Sequence, residues 1–150
     1  MKSMGGIVSG RPLYSIARSM TVAEAAVYMA ENNIGAVPVV EGERLVGVFS
    51  ERDIVKRVVS RNLDPKATTI SDVMTSKLVI ASADESFESC LQKMQKAHCR
   101  HLPIVSGDQL IGFVSLRDLL MIDIDEKERN LEYLQSYIYM VPPGAKKYQG

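Results

Sequence analysis

A short motif occurs twice in this chain, and the repetition constrains the fold more than any other feature. The copies are Gly47-Val-Phe-Ser-Glu-Arg-Asp53 and Gly112-Phe-Val-Ser-Leu-Arg-Asp118, and their aspartates lie 65 residues apart (118 − 53). Around them, 8 of the 17 aligned positions in 38–54 and 103–119 are identical. Such a repeat indicates two copies of one supersecondary unit, neither of which covers its apolar face alone.

Each unit predicts the element order β-α-β-β-α. In the first unit, Thr21-Val-Ala-Glu24 is a capping box that opens a helix. The apolar runs 37–40 and 45–49 are separated by Glu41-Gly42-Glu43, which predicts a hairpin. The second unit repeats this order, and Ser50 and Ser115 start the closing helices. Together with first strands at 13–16 and 78–81, the pattern predicts an α+β fold.

The boundaries of the units follow from the composition between them. We predict a first repeat over 13–62, a polar linker with a short helical turn over 63–75, and a second repeat over 76–122. The unrepeated segment 123–141 is charged and amphipathic, which predicts a helix that packs on a partner or back on its own domain. Residues 1–12 and 142–150 are expected to be flexible and to bury little.

The composition restricts the class of function. Eighteen basic and 18 acidic residues give no net charge, which disfavours nucleic acid and anionic membranes as partners. The apolar runs are too short to span a bilayer and the chain does not begin with an apolar signal region, so we predict a soluble cytoplasmic protein. Cys90 and Cys99 form no CxxC pair, which favours free thiols. Cys99-Arg-His101 has no recognised zinc spacing, so no metal is predicted.

The repeated Ser-x-x-Asp motif has two interpretations. At a helix start, the two side chains can simply cap the first turn. Alternatively, an Asp at that place can accept both hydroxyls of a ribose, while Arg52, Arg117 and exposed backbone N–H groups suit a phosphate. Gly47 and Gly112, inside apolar strands, mark places where another group approaches the backbone. The second interpretation fits adenosine phosphates, and the first remains the alternative.

Three further segments accompany the twin motif. They are Ala36-Val-Pro-Val-Val40, His101-Leu-Pro-Ile-Val105 and Asp72-Val-Met-Thr75. With them, residues 13–122 resemble a tandem pair of cystathionine-β-synthase (CBS) domains of the stand-alone bacterial kind. The resemblance implies two repeats packed sheet to sheet about a pseudo-two-fold axis, and two clefts that take AMP, ADP, ATP, an NAD(H)-type dinucleotide or S-adenosylmethionine. It also implies a homodimer that regulates a partner protein without catalysis.

The resemblance carries functional roles to matching positions. Ribose hydroxyls are implied to bind Ser50 with Asp53 in one cleft and Ser115 with Asp118 in the other. The base is implied to lie where the strands begin, against Ile34, Gly35, Ala36 and Val37 in one cleft and against Leu102, Met74 and Ile80 in the other. Phosphates are implied to meet Arg52, Arg100, His101 or Arg117.

The two clefts are not expected to be equivalent. Arg100-His101 in the second repeat aligns with Gly35-Ala36 in the first. We therefore expect the cleft served by Asp118 to bind the more highly phosphorylated ligand. His101 is expected to strengthen binding below about pH 6.5, where an ordinary imidazole is charged.

Two other functions remain open. The chain could be an interaction module with empty clefts, in which the Ser-x-x-Asp motifs are only helix caps. An enzyme would have to use Cys99 with His98 or His101, since no nucleophile elbow, P-loop, HExxH or paired-carboxylate signature appears outside the repeat. We predict that the chain is not an enzyme. A homodimer is also indicated by helix faces that one chain does not cover, namely those with Val22, Ala26, Val55 and Val59.

Overall fold

A computed structural model describes residues 3–139 of the chain, with side chains to residue 136. The helices are α1 Met4–Val8, α2 Val22–Glu31, α3 Glu51–Asp53, α4 Ile70–Val73, α5 Phe87–Ala97 and α6 Leu116–Tyr139. The strands are β1 Ile16–Ala17, β2 Ala36–Glu41, β3 Arg44–Ser50, β4 Ala81–Ser82, β5 His101–Ser106 and β6 Gln109–Ser115. Helix α3 continues into a wider π-helical segment, Ile54–Val59.

The six strands form one sheet in the order β1-β2-β3-β6-β5-β4. Each half consists of a short parallel strand beside an antiparallel hairpin. The halves join where Arg44 of β3 pairs with Gln109 of β6, and this junction is extended by a hydrogen bond from the Leu110 N–H to the Glu43 carbonyl at 3.0 Å. The predicted pair of β-α-β-β-α repeats, related by a pseudo-two-fold axis, is confirmed.

Local sequence signals explain where these elements begin and turn. Thr21 caps α2, and both hydrogen bonds of the predicted capping box with Glu24 are formed. The hairpin turns contain Gly42 at φ +65° and Gly107 at φ +61°, a conformation that costs glycine less than any other residue. The two hairpins therefore turn at equivalent positions of the repeat.

Each repeat has its own apolar core. Phe49 and Val37 are fully buried in the first core, and Leu102 and Ile104 in the second. Val22 is also buried, with 1% of its surface exposed, so the expectation that it lies on an uncovered face is wrong. The first repeat's own core covers it.

The N-terminal segment differs from the sequence-based expectation. Residues 1–12 were expected to bury little, but Met4, Ile7 and Val8 of α1 are buried in the core of the second repeat. The Met4 N–H donates to the Glu85 carbonyl at 2.9 Å, and the Gly5 N–H donates to the Ala83 carbonyl at 2.8 Å. The segment is therefore part of the folded unit.

Helix α4 makes equivalent contacts with the first repeat. The Ile70 N–H donates to the Met20 carbonyl at 2.8 Å, and the Ser71 N–H donates to the Arg18 carbonyl at 3.1 Å. Helix α1 is therefore the first repeat's counterpart of α4, and each helix lies across the opposite repeat. The first residues of α1 and α4 are 66 residues apart (70 − 4), whereas the two motifs are 65 residues apart. An alignment of the repeats on their motifs therefore places α1 and α4 one position out of register.

The C-terminal helix is also continuous where a boundary was predicted. Helix α6 runs through the predicted boundary at 122/123 because no Gly or Pro interrupts residues 116–139. No helix in the described part of the chain is long and apolar enough to cross a membrane. The predicted flexible segment 142–150 lies outside the described residues.

Candidate functional site

A cleft of about 360 Å³ lies between the two repeats. It opens beside the motif of the first repeat and the chain that begins β5 of the second. We call it the Asp53 cleft. Its lining residues are Gly35, Ala36, Val48, Ser50, Glu51, Arg52, Asp53, Thr75, Lys77, Leu78, Val79, His98, Cys99, Arg100, His101 and Pro103.

Ser50 and Asp53 form a complete capping box at the end of β3. The Ser50 N–H donates to Asp53 Oδ2 at 3.0 Å, and the Asp53 N–H donates to Ser50 Oγ at 3.4 Å. Asp53 is buried, with 6% of its surface exposed. This is the geometry that the capping interpretation predicts, and it places both side chains at the wall of the cleft.

The second carboxylate oxygen of Asp53 faces the linker. Thr75 Oγ1 donates to Asp53 Oδ1 at 3.3 Å, and the Arg57 Nε atom lies 3.6 Å from the same oxygen. Charge-assisted hydrogen bonds are usually about 2.7–2.9 Å long, so both contacts are loose. A hydroxyl donor entering the cleft can therefore compete for this oxygen.

The second motif has the same cap in a different environment. The Ser115 N–H donates to Asp118 Oδ2 at 3.0 Å, and the Asp118 N–H donates to Ser115 Oγ at 3.0 Å. Asp118 is half-buried, and Ile122 occupies the position that corresponds to Arg57. Ile122 packs against the core of the second repeat, so the Asp118 carboxylate lacks the arginine that accompanies Asp53.

The structure brings seven of the predicted site residues together and leaves the others elsewhere. The Asp53 cleft contains Gly35, Ala36, Ser50, Arg52, Asp53, Arg100 and His101. Val37 and Leu102 are fully buried core residues, and Ile34 lines a neighbouring groove of about 220 Å³. Ile80 is 41% exposed and, like Ser115, Arg117 and Asp118, is not part of the cleft lining.

Three residues assigned to the Asp118 cleft also have contacts with the first repeat. Arg100 and His101 line the Asp53 cleft, and His101 is also close enough to Asp118 for that carboxylate to raise its pKa, so these two residues do not favour the Asp118 cleft over the Asp53 cleft. Met74 packs against the core of the first repeat and contacts Gly47. These contacts arise because chain segments of one repeat lie across the motif of the other.

Sequence analysis missed several lining residues, most of them in the segment 75–79 and the turn before β5. They are Val48, Glu51, Thr75, Lys77, Leu78, Val79, His98, Cys99 and Pro103. The available signal was Thr75-Ser-Lys77, a polar step directly after the Asp-Val-Met segment. It reaches the cleft because Thr75 pairs with Val48 of β3.

The cleft lining carries more positive than negative charge. Arg52, Lys77 and Arg100 are exposed cations, and they face the acidic Glu51 and Asp53. Such a surface suits an anionic ligand, because each engaged cation contributes a charge-assisted hydrogen bond.

His101 is held in an environment that opposes its charged form. Burial lowers the pKa of His101; the Asp118 carboxylate raises it, and the Arg100 charge lowers it further. The ring also stacks on Phe113, with centroids 5.3 Å apart and planes at 7°. Any pH effect of His101 therefore lies below pH 6.5, lower than the sequence-based expectation.

The thiols show no sign of activation. Burial raises the pKa of Cys99, and burial together with the Glu85 charge raises the pKa of Cys90 to about 11. A nucleophilic cysteine needs a lowered pKa, so the geometry opposes the enzyme hypothesis that used Cys99. Within residues 3–139, no group of three His, Cys, Asp or Glu side chains is placed to hold a metal ion.

A comparison of the sequence with known protein families identifies the same two repeats. The CBS domain family model matches residues 6–60 and 70–125. The CBS domain-containing protein YhcV of Bacillus subtilis (strain 168) is 38% identical over 105 residues, which cover 70% of this chain and 74% of that protein.

Solved structures show the same fold. The CBS domain protein PAE2072 from Pyrobaculum aerophilum, solved in complex with AMP, is 27% identical with a TM-score of 0.69, over 77% of this chain and 88% of that one. The CBS domain pair of protein MJ0100, solved with 5′-methylthioadenosine and S-adenosyl-L-methionine, is 25% identical with a TM-score of 0.72, over 84% of this chain and 98% of that one. Because the family model matches both motif-bearing repeats, the chain belongs to the CBS domain family.

Proposed function

We propose that this chain is a non-catalytic regulatory module that binds an adenosine nucleotide in the Asp53 cleft and changes its interaction with a partner protein when occupied. The observation that carries the proposal is the meeting of Ser50 and Asp53 with three cations in one cleft of about 360 Å³. That volume lies within the roughly 300–1,000 Å³ of ordinary small-molecule sites.

The side chains suggest one orientation for such a ligand. Ribose hydroxyls donate to the Asp53 carboxylate, where the contacts from Thr75 and Arg57 are loose. The base lies against the apolar side chains of Val48 and Val79, which the cleft contains. The phosphates then extend toward the cations described above.

The charge of the cleft favours phosphorylated ligands within the adenosine class. Lys77 and Arg100 bring two further positive charges to the Asp53 cleft beside that of Arg52. We therefore expect ADP or ATP to bind there more tightly than AMP. This reverses the sequence-based ranking of the two clefts. The AMP complex of PAE2072 and the S-adenosyl-L-methionine complex of MJ0100 support the adenosine class, and NAD(H) remains within it.

A second candidate is an interaction module with ligand-free clefts. It is favoured by one observation, that the backbone and side-chain groups of each capping box hydrogen-bond to one another. In that case the Ser-x-x-Asp motifs only stabilise helix starts, each by about 1 kcal/mol.

We also propose a homodimer in the cytoplasm. Val55, Val59, Leu120, Met121 and Ile124 are all large apolar side chains that remain 45–65% exposed. A second copy of the chain is the expected cover for such surfaces, because most soluble oligomers are symmetric dimers. The free thiols of Cys90 and Cys99 suit a reducing compartment.

Calorimetric titration tests the proposed ligand class. Wild type is titrated with AMP, ADP, ATP, NADH and S-adenosylmethionine, followed by Asp53→Asn and the matched variant Asp118→Asn. We expect Asp53→Asn to weaken the tightest nucleotide by at least tenfold and Asp118→Asn to leave that event unchanged. The proposal fails if no ligand binds, or if both folded variants lose affinity by the same factor; the first result would favour the ligand-free module.

A further inference from the structure

Arg57 joins the motif of the first repeat to the chain that enters the second. Its Nη1 atom donates to the Met74 carbonyl at 2.8 Å and to the Val73 carbonyl at 3.3 Å. Its Nε atom lies 3.6 Å from Asp53 Oδ1. One guanidinium therefore contacts both the carboxylate proposed to bind ribose and the backbone of the linker.

The linker is fixed to the cleft at the next residue. The backbone of Thr75 exchanges two hydrogen bonds of 2.9 Å with Val48 of β3, and Thr75 Oγ1 donates to Asp53 Oδ1 at 3.3 Å. Lys77 and Val79, which line the cleft, follow within four residues. The position of this wall of the cleft therefore depends on the contacts at residues 73–75.

The planar guanidinium of Arg57 and its spacing from Asp53 suit it to contact the carboxylate and the linker together. The guanidinium carries five donors in a rigid plane, so it can bind separate acceptors at once. Arg57 lies four residues after Asp53, and its side chain is 38% exposed, so it is not a core residue. Ile122 replaces it in the second motif, and an apolar side chain at this position cannot make the same connection.

We infer that Arg57 is a positioning residue that holds the Asp53 carboxylate and the Val73–Thr75 segment in a fixed relation, so that ribose hydroxyls binding to Asp53 alter the hold on the linker. The inference rests on the proposed function for its ligand. Its structural part, the hold on the linker, does not require one.

The coupling follows from competition at one oxygen. A ribose hydroxyl that donates to Asp53 Oδ1 takes the place of the loose hydrogen bond from Thr75 Oγ1, while the Arg57 guanidinium, 3.6 Å from that oxygen, continues to orient the carboxylate. The bonds from Arg57 to the two carbonyls are independent of that oxygen and persist. The ligand thus changes contacts on the linker side of the cleft, which is the differential interaction that any ligand-driven shift between two conformations requires.

The test compares Arg57→Met with Lys56→Met, a matched loss of one exposed cation from the same helical segment. The first measurement is hydrogen exchange at the Thr75 amide in the ligand-free protein. The second is the ratio of affinities for AMP and for 2′,3′-dideoxyadenosine 5′-monophosphate, which lacks both ribose hydroxyls. We expect Arg57→Met to speed Thr75 exchange at least tenfold and to reduce the AMP preference at least threefold, whereas Lys56→Met changes neither.

Arg57→Lys separates the two contacts if Arg57→Met is poorly folded. A lysine keeps a positive charge near Asp53, but its single nitrogen cannot contact the carboxylate and the linker carbonyls together as Nε and Nη1 of the arginine do, so we expect fast Thr75 exchange with the AMP preference retained. Unchanged Thr75 exchange in both Arg57 variants overturns the inference, as does an equal loss of affinity for AMP and the dideoxy analogue in Arg57→Met. If wild type binds neither nucleotide, the ligand-dependent part of the inference fails, and Thr75 exchange alone decides whether Arg57 holds the linker; the titrations with ADP, ATP, NADH and S-adenosylmethionine still decide the proposed function.

Discussion

Val8 lies directly over Gly112, so closely that a Cβ atom added to this glycine would come within 2.6 Å of the Val8 side chain. Gly47 has the same relation to Met74, whose Sδ atom would lie 2.5 Å from an added Cβ. The two glycines of the motif are therefore the places where α1 and α4 dock on the opposite repeats. Close approach between protein segments explains them without any ligand.

The first prediction concerns these two glycines. Gly112→Ala forces the β-branched Val8 side chain to move, and Val8 is anchored near the backbone of α1. Overpacking of this kind costs about 1–3 kcal/mol. Gly47→Ala meets the flexible Met74 side chain at its closest contact, with the Thr75 carbonyl oxygen at 3.1 Å, so its cost is expected below that of Gly112→Ala, about 1 kcal/mol. Urea unfolding of both variants measures the difference. An equal loss in both would contradict the proposed anchoring of α1.

The helix starts and hairpins could be predicted because their causes are local. Thr21 and Glu24 satisfy each other's backbone groups, and Gly42 supplies a left-handed turn, whatever the rest of the chain does. Helix α1 could not be predicted, because Gly5 and Gly6 are poor helix formers. Its five residues are stabilised by burial against the second repeat, which is a tertiary effect.

The candidate site was predictable only in part, for a related reason. The motif itself identified Ser50 and Asp53, whose positions follow from the end of β3. The place of Arg100 depends on how the repeats face each other, a relation that includes the pairing of Arg44 with Gln109 and the docking of α1 and α4 on the opposite repeats. A sequence repeat shows which positions are equivalent but not which repeat supplies the opposite wall of a cleft.

The second prediction concerns the cations of the Asp53 cleft. Lys77→Ala removes an exposed cation from the cleft, so ATP affinity should fall about tenfold, the low end of roughly 1.5–3 kcal/mol for a charge-assisted hydrogen bond. AMP affinity should fall less because fewer phosphate charges are engaged. Calorimetry at two salt concentrations measures both, with Lys56→Ala as the exposed control outside the cleft. An equal effect of Lys56→Ala would show that only the overall charge matters.

The third prediction concerns His101 and pH. Burial lowers the pKa of His101, so the unfolded state, with a histidine pKa of about 6.5, binds the proton more readily. The stabilising effect of the neutral ring is complete above about pH 6.5 and is lost as the pH falls from there toward the folded-state pKa.

His101→Phe provides the comparison for this pH effect, because a phenyl ring can still stack on Phe113. The free energy of unfolding of wild type is expected to fall more steeply between about pH 6.5 and 5 than that of the variant. In both proteins, the remaining fall of the unfolding free energy at low pH comes from protonation of the carboxylates. Parallel curves over that range would mean that His101 titrates normally.

The fourth prediction concerns the exposed apolar side chains near the end of the first repeat. Val59 is 65% exposed, and a glutamate there would place a charge in the proposed dimer interface. Val59→Glu is therefore expected to reduce the mass measured by light scattering from that of two chains toward the 16.6 kDa of one. Leu63→Glu, a similar change at a residue 40% exposed in the connector, serves as the control. A wild type that already has the mass of one chain rules out the dimer.

The last prediction uses Cys99 as a reporter of the cleft. Cys99 is partly buried with a raised thiol pKa, and Cys90 is fully buried with a pKa of about 11. Since the thiolate is the reactive form, iodoacetamide at pH 7.5 should label Cys99 slowly and Cys90 only after unfolding. The Cys99→Ser variant assigns the slow label.

Ligand protection then tests the location of the site. Cys99 lines the Asp53 cleft, whereas Cys90 belongs to the core of the second repeat. A nucleotide bound in the cleft of the folded protein should therefore slow the labelling of Cys99. The labelling of Cys90, measured after unfolding, should not depend on the nucleotide. Asp53→Asn should abolish this protection because it weakens the ligand. Binding that leaves the Cys99 rate unchanged would place the ligand outside this cleft. Labelling faster than that of an unstructured peptide thiol would instead indicate an activated thiolate and revive the enzyme hypothesis.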